Sequence, residues 1–472
     1  MVATAGRWAL ATVAVIATAG CGTRLSPTQA QQQLRAFSGT GGSGQATGPG
    51  TDLAAGDATG STGSGPAGGT AGSVAEGVAG SGGGATGALS APGTPGGSGG
   101  TAANAPGTAA AGTKAPIIVA MSCDCSGVVG AASSPSRESF QAWVQMINDS
   151  GGLDGHPVKF LYADDNNSAS QDIENVKTFV EQSHAIALVN LFPAAGGIAP
   201  VAKYAQAKHV PVVGGSGYEA EWTQYPSMFS TSTADAAQDY AWAAEMKAGG
   251  KKTVGAIYCA EAPVCADKEA KWKQSAQQLG LQVKFESKES LAAPSFSSDC
   301  LNARSAGVDA LVPILDGASA ARVARDCDQQ GYHPLLIVPQ PFDNPPSYME
   351  GAVAPLQSFP WFLTSGSPAL DEYGAALKKY VHDPTGSYSA LGWANAKLLE
   401  RALRGHVSDV PTADDVFNGL WALRGDNLGG LTAPLTFQKD QNGTPIRCSF
   451  NAKVKNGTWV APIGTQLTDC QP

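Results

Sequence analysis

Residues 116–163 decide the fold. Pro116-Ile117-Ile118-Val119-Ala120-Met121-Ser122 is a short apolar run, Ser136–Asp149 follows it, and Val158-Lys159-Phe160-Leu161-Tyr162-Ala163 is a second such run. The first run has the length of a buried strand. Within Ser136–Asp149, Phe140, Trp143, Val144 and Ile147 stand at i, i+3, i+4 and i+7, which gives a helix one apolar face. Strand, helix, strand at this spacing is a βαβ unit, whose strands lie parallel under covering helices.

The same alternation continues outward. Ser168–Gln182 reads as a helix, Ile186–Leu191 as a strand, Ile198–Lys208 as a helix and Val210–Gly214 as a strand. It resumes with helices over Asp235–Lys247, Cys265–Leu279, Ser298–Ser305 and Ala318–Gln330. Between and after these come strands at Thr253–Tyr258, Val283–Glu286, Ala310–Leu315 and Leu335–Pro339. A helix-rich run, Ala369–Leu423, precedes short strands near Leu435–Phe437 and Cys448–Val460. Two βα series exceed what one sheet usually holds. The fold class is therefore α/β, with two Rossmann-like lobes whose parallel sheets carry helices on both faces. Ligands of such sheets bind beyond the carboxyl ends of the strands.

The chain has 472 residues and a net charge of −9. Residues 1–113 hold three basic and three acidic side chains, so the charge belongs to residues 114–472, where 27 basic groups face 36 acidic ones. That balance, with no basic stripe, argues against a nucleic-acid partner. Of 59 glycines, 26 lie between Gly39 and Gly112. This Gly/Ser/Ala/Thr tract cannot bury enough apolar surface to offset chain entropy, so 22–113 reads as a disordered tether. As a coil of about 75 residues it would reach roughly 45–50 Å. Gly96-Gly97-Ser98-Gly99-Gly100 matches the hydrolase elbow pattern, but that elbow requires a strand-to-helix turn which such a tract does not make.

Residues 1–21 have the parts of an export signal, with Arg7, an apolar core from Trp8 and small residues up to Cys21. Trp8–Cys21, about 14 residues, is too short for a spanning helix. Thr18-Ala19-Gly20-Cys21 resembles a bacterial lipobox, with Thr18 where Leu, Val or Ile is usual. It makes Cys21 the expected lipidation site and the outer face of the cell membrane the expected location. Eight further cysteines, an even number in an oxidising space, read as a disulfide set: Cys123, Cys125, Cys259, Cys265, Cys300, Cys327, Cys448 and Cys470. Cys259 and Cys265 flank a short loop, Cys300 and Cys327 fall on consecutive helices, and Cys448 and Cys470 on the last strands. Cys123 and Cys125 are left together. No histidine has ligand spacing to Cys123-Asp124-Cys125, so neither a metal nor a cofactor is expected.

Ile147-Asn148-Asp149-Ser150-Gly151-Gly152-Leu153-Asp154-Gly155-His156-Pro157-Val158 is close to the signature I-N-x-x-G-G-I-x-G-x-x-L. Together with Val119–Ser122, Ala163-Asp164-Asp165, Val210–Val213 and Leu431 with Pro434–Phe437, it makes residues 116–462 resemble the type I periplasmic solute-binding proteins of the Leu/Ile/Val-binding family. The resemblance implies lobes that exchange strands three times, near Asp235, Pro345 and Gly430. Lobe one would be 114–235 with 346–430, and lobe two 236–345 with 431–472. It also places the six later cysteines in lobe two, and leaves Cys123 and Cys125 either bridged to each other or as thiols lining the cleft.

By the same resemblance the protein is a monomer that closes on a small-molecule solute and presents it to ABC permease subunits; the alternative is a ligand sensor that uses the same fold to signal to a membrane partner. The expected contacts are Ser126, Phe192, Pro193, Ala194, Ser216, Gly217 and Tyr218 from lobe one, and Asp316 and Gln340 from lobe two. Gln340 stands where the family has an acid, and Asp316 reads equally well as a helix cap. Tyr258, Glu261, Phe342 and Trp361 are further wall candidates. These departures point away from a standard branched-chain amino acid and leave a branched-chain amino acid-like compound, an amide, a small aromatic or another apolar-bodied solute. Catalysis is not expected, since no nucleophile–base or paired-carboxylate constellation is legible on the strand ends.

Overall fold

The computed structural model describes residues 114–192, 197–261, 263–381 and 386–472. The expected signal, Cys21 and the tether lie outside them, as do Pro193 and Ala194. In the first lobe, β1 (Ile117–Cys123), β2 (Val158–Asp164), β3 (Ala187–Leu191), β4 (Val212–Gly215) and β5 (Met228–Phe229) form a parallel sheet ordered β2-β1-β3-β4-β5. Its first helices are α1 (Gly127–Asp149), α2 (Ala169–Lys177, prolonged by a π-helical turn to Gln182) and α3 (Ile198–Ala207). The second lobe alternates α4 (Asp235–Ala248), β6 (Thr253–Cys259), α5 (Pro263–Gln278), β7 (Gln282–Glu289), α6 (Ser297–Ser305), β8 (Ala310–Ile314), α7 (Gly317–Asp328) and β9 (Leu335–Leu336). Its parallel order is β7-β6-β8-β9.

The apolar face of α1 is buried as the spacing requires, and the Trp143 indole donates to Glu400 at 2.8 Å. That glutamate lies on α9 (Tyr388–Leu403), which with α8 (Pro368–Tyr380) and α10 (Ala413–Ala422) completes the first lobe by packing on α1, β3 and β4. Helix α1 starts nine residues before the expected Ser136, with Pro135 inside it. Residues 127–134 show no apolar period, and Gly130 is needed there because a Cβ would come within 2.5 Å of the Cys125 backbone.

The signature stretch is a backbone device. Asn148 accepts from Val158 N at 2.8 Å and donates to Val158 O at 2.9 Å, clamping the start of β2 to the end of α1. Gly152 has φ +87°, and a Cβ there would lie 2.4 Å from the His156 carbonyl oxygen.

Strand β10 (Val353–Leu356), unread in the sequence because Pro355 interrupts it, pairs antiparallel with β13 (Phe450–Lys455), which pairs with β14 (Thr458–Val460). Val353 also bridges Ile337 in parallel, just past β9. Beyond Pro345 the chain therefore touches the end of the second sheet at Val353 and pairs with β13 as far as Leu356. The remaining short strands are β11 (Arg424–Asp426) and β12 (Leu435–Thr436), a two-stranded ribbon.

Three chain segments pass between the lobes side by side, and Thr233 joins them. Its N–H donates to Gln357 O at 3.1 Å, its hydroxyl to Cys448 O at 2.9 Å, and the next N–H, of Ala234, to Ile446 O at 2.8 Å. Among the described residues four disulfides are formed: Cys123–Cys125 in the first lobe, and Cys259–Cys265, Cys300–Cys327 and Cys448–Cys470. None of these bridges the cleft.

Thr233→Val keeps the shape but orphans the Cys448 carbonyl. We expect a loss of about 1–2 kcal/mol in urea unfolding; an unchanged midpoint would show that the hydroxyl does not hold the crossing.

Candidate functional site

All strands of each parallel sheet end on one side. The loop after β4 in the first lobe and the segment after β9 in the second help to enclose a cavity of about 20 Å³, room for one water molecule. Tyr218, Tyr388 and Leu391 line it from the first lobe, Gln238, Pro339 and Pro341 from the second, and Gln357 and Ser358 from the crossing. Nothing larger than water enters without hinge movement.

The walls differ in character. The Tyr388 hydroxyl donates to that of Tyr218 at 3.2 Å, and Phe192 packs edge-on against the Tyr388 ring at 5.3 Å. Gln357 Nε2 donates to Gln238 Oε1 at 2.6 Å. Gln357 Oε1 and Ser358 Oγ are buried and have no hydrogen-bond partner, although the two residues are only 7% and 4% exposed. A buried acceptor without a donor is destabilising by roughly 1–3 kcal/mol, which a ligand donor would relieve.

Beside the cavity lies a charged cluster that spans both lobes. Lys268 on α5, 4% exposed, pairs with Asp235 and, at 3.2 Å, with Asp239 on α4. Its ammonium also sits 4.8 Å from the centroid of the Tyr218 ring across the cleft. Next to Tyr218, Glu219 accepts from Ser216 Oγ at 2.8 Å and from Trp222 Nε1 at 3.1 Å. Burial pushes Glu219 up to about 7 and Asp239 up to about 7, and holds the Tyr218 phenol well above its ordinary value. A second cross-lobe tie runs from Asp343, beyond β9. It accepts from the Trp361 indole at 2.5 Å and from Gly386 N, ahead of α9, at 2.9 Å.

The sequence-expected residues fall into groups. Tyr218 lines the cavity, Gln340 stands between its two wall prolines, and Phe192 backs Tyr388. Ser216 is engaged by Glu219, while Gly217 lets the loop approach the crossing, since a Cβ there would come within 2.5 Å of Ser232. Ser126 is the exposed residue before α1, and its hydroxyl serves Asp164. Asp316 caps α7, accepting from Ser319 N at 3.0 Å and from its hydroxyl at 2.5 Å. Of the further wall candidates, Glu261 is exposed and accepts from Ser290 and Leu291. The sequence reading missed Gln238, Gln357, Ser358, Tyr388 and Leu391. They lie on helices and on a crossing segment, away from the loop positions that the family resemblance implied.

The periplasmic binding protein family model matches residues 116–458. The chain belongs to this family. No curated protein matches the sequence. Among solved structures it is similar to a branched-chain amino acid ABC transporter protein from Thermus thermophilus with bound valine. The two share 15% identity and a TM-score of 0.66, over 75% of this chain and 96% of that one. A fatty acid ABC transporter substrate-binding protein from Thermomonospora curvata gives 18% and 0.61, over 78% and 95%. An R. palustris ABC transporter solute-binding protein in complex with benzoate gives 16% and 0.60, over 75% and 96%. These likenesses give the fold, that of type I periplasmic binding proteins.

Stability should fall as pH rises from about 5 to 8. Glu219 and Asp239 keep their protons up to about 7 in the folded chain, whereas the unfolded carboxyls lose theirs near 4. The stabilisation is thus complete below pH 4 and is lost through pH 7. Glu219→Gln should recover about 2–4 °C of melting temperature at pH 8 relative to pH 5. An identical pH profile in the variant would remove Glu219 from this role.

Proposed function

We propose that this protein is the extracytoplasmic solute-binding component of an ABC importer, taking a small solute into the interlobe cleft by hinge opening and closure. The observation that carries this reading is the pair of buried, unpartnered oxygens, Gln357 Oε1 and Ser358 Oγ, at the hinge end of a cleft walled by Tyr218, Tyr388, Leu391, Pro339 and Pro341. An apolar-bodied solute with an N–H or O–H donor would satisfy them, as would an amide or the ammonium of a branched-chain amino acid. Family membership supports a binding role, and on this reading the protein is not an enzyme.

In this reading the lobes part at Thr233, Gln357 and Ile446–Cys448, with α8–α10 in lobe one and β10, β13 and β14 in lobe two. Residues 1–21 direct export, Cys21 bears the lipid, and 22–113 is the leash of a monomeric receptor at the outer face of the membrane.

Valine, leucine, benzoate, a medium-chain fatty acid and small amides, screened by thermal unfolding of the full chain, should include one that stabilises it. The expected gain is about 2.7 kcal/mol at a hundred times the dissociation constant. Gln357→Leu should remain folded and lose that gain. A flat response to every solute, or full stabilisation of Gln357→Leu, would contradict this site. For the anchor, Cys21→Ala expressed in a bacterium should move the chain from the membrane fraction to the soluble one; retention in the membrane would contradict lipidation.

A further inference from the structure

We propose that the carboxyl end of the first sheet binds a calcium ion between Asp124, Asp164 and Asp165. One carboxylate oxygen from each lies within 4.8 Å of the others. Calcium takes oxygen ligands at about 2.3–2.6 Å, so opposite ligands stand up to about 5 Å apart; magnesium, at about 2.0–2.1 Å, demands a tighter octahedron. The set is all oxygen, which suits hard cations and not zinc or copper.

Asp124 supplies the second, independent observation. It is 4% exposed, and its Oδ1 is buried with no hydrogen-bond partner. A carboxylate oxygen taken out of water without a donor is costly, and a cation removes that cost. Neither rotation of the backbone nor retreat to solvent offers an escape. Asp124 N donates to Phe192 O at 2.8 Å, Ser133 Oγ donates to Asp124 O, and the Cys123–Cys125 bridge closes a ring around the residue.

The partner carboxylates are held in place from the other side. Asp164 Oδ1 accepts from Cys125 N at 3.2 Å and Asn166 N at 2.9 Å, Asp165 Oδ1 accepts from Asn167 N at 2.8 Å, and Asp165 N donates to Cys123 O at 2.9 Å. Asp172 on α2 is buried beside Ser122, two residues back along β1, and burial pushes its carboxyl up to about 6. The nearby cation, Arg137, lies over the Tyr162 ring at 4.9 Å and pairs with Glu138 at 3.7 Å. It attracts Asp164 without hydrogen-bonding to Asp124.

The test uses full chain stripped with EDTA, melted against calcium chloride or magnesium chloride, with no solute added. Calcium should raise the melting temperature saturably with a midpoint of about 10⁻⁴–10⁻³ M, the range of extracellular calcium modules, and magnesium should do much less. Asp124→Asn should abolish the saturable rise. As a readout independent of variant folding, terbium bound to the unaltered chain should show tyrosine-sensitised luminescence through Tyr162, displaced by calcium. Equal effects of calcium and magnesium, a calcium response kept in Asp124→Asn, or terbium luminescence that calcium does not displace would each overturn the site.

Discussion

The structure depends on how three chain segments cross together at Thr233. A two-lobed α/β chain that exchanged strands once would hang its lobes on a flexible joint. Here the amide and hydroxyl of one residue, with the following amide, reach carbonyls on both other segments, so the crossings bend as a unit. The disulfides respect this arrangement, since all four close within a lobe or beside the crossing and leave the hinge axis unlocked.

The cleft that this hinge closes is poised between two tendencies. Tyr218 and Tyr388 on one side and the proline pair on the other press together until only a water-sized space remains. Lys268 reaches from the second lobe to the Tyr218 ring, and Asp343 ties the loop after β9 to the start of α9. Against these contacts stand buried carboxyls at Glu219 and Asp239 and orphaned oxygens at Gln357 and Ser358. Closure alone therefore leaves polar groups unsatisfied, a general way for a binding protein to make its closed form depend on what it holds.

Much of the fold was legible in the sequence because βα alternation is a local signal. The apolar face of Phe140, Trp143, Val144 and Ile147 follows from residues within two turns of chain, and the Asn148–Val158 turn was marked by its match to a family signature. The structure supplies the reason for that turn: Asn148 takes both backbone groups of Val158, and Gly152 fits where a Cβ would strike His156. What escaped was non-local. Strand β10 carries Pro355 and exists because β13, about a hundred residues later, pairs with it. Residues 127–134 are helical ahead of Pro135, where Gly130 lies against the Cys125 backbone and the Ser133 hydroxyl donates to Asp124 O. Tyr218, which the family resemblance put among the expected contacts, lines the cavity; Gln357, which lines it too, was not expected, since nothing in a sequence marks a residue at which separate segments meet.

The most direct test of the hinge is a distance across it. Spin labels at Gln206→Cys and Lys284→Cys, both exposed and one in each lobe, would report lobe separation by pulsed electron resonance. The account predicts a broad or double distance distribution in the chain alone, which collapses to its shorter component when a stabilising solute is added. A single distance unchanged by every solute would mean that the lobes form one rigid block and would contradict the account.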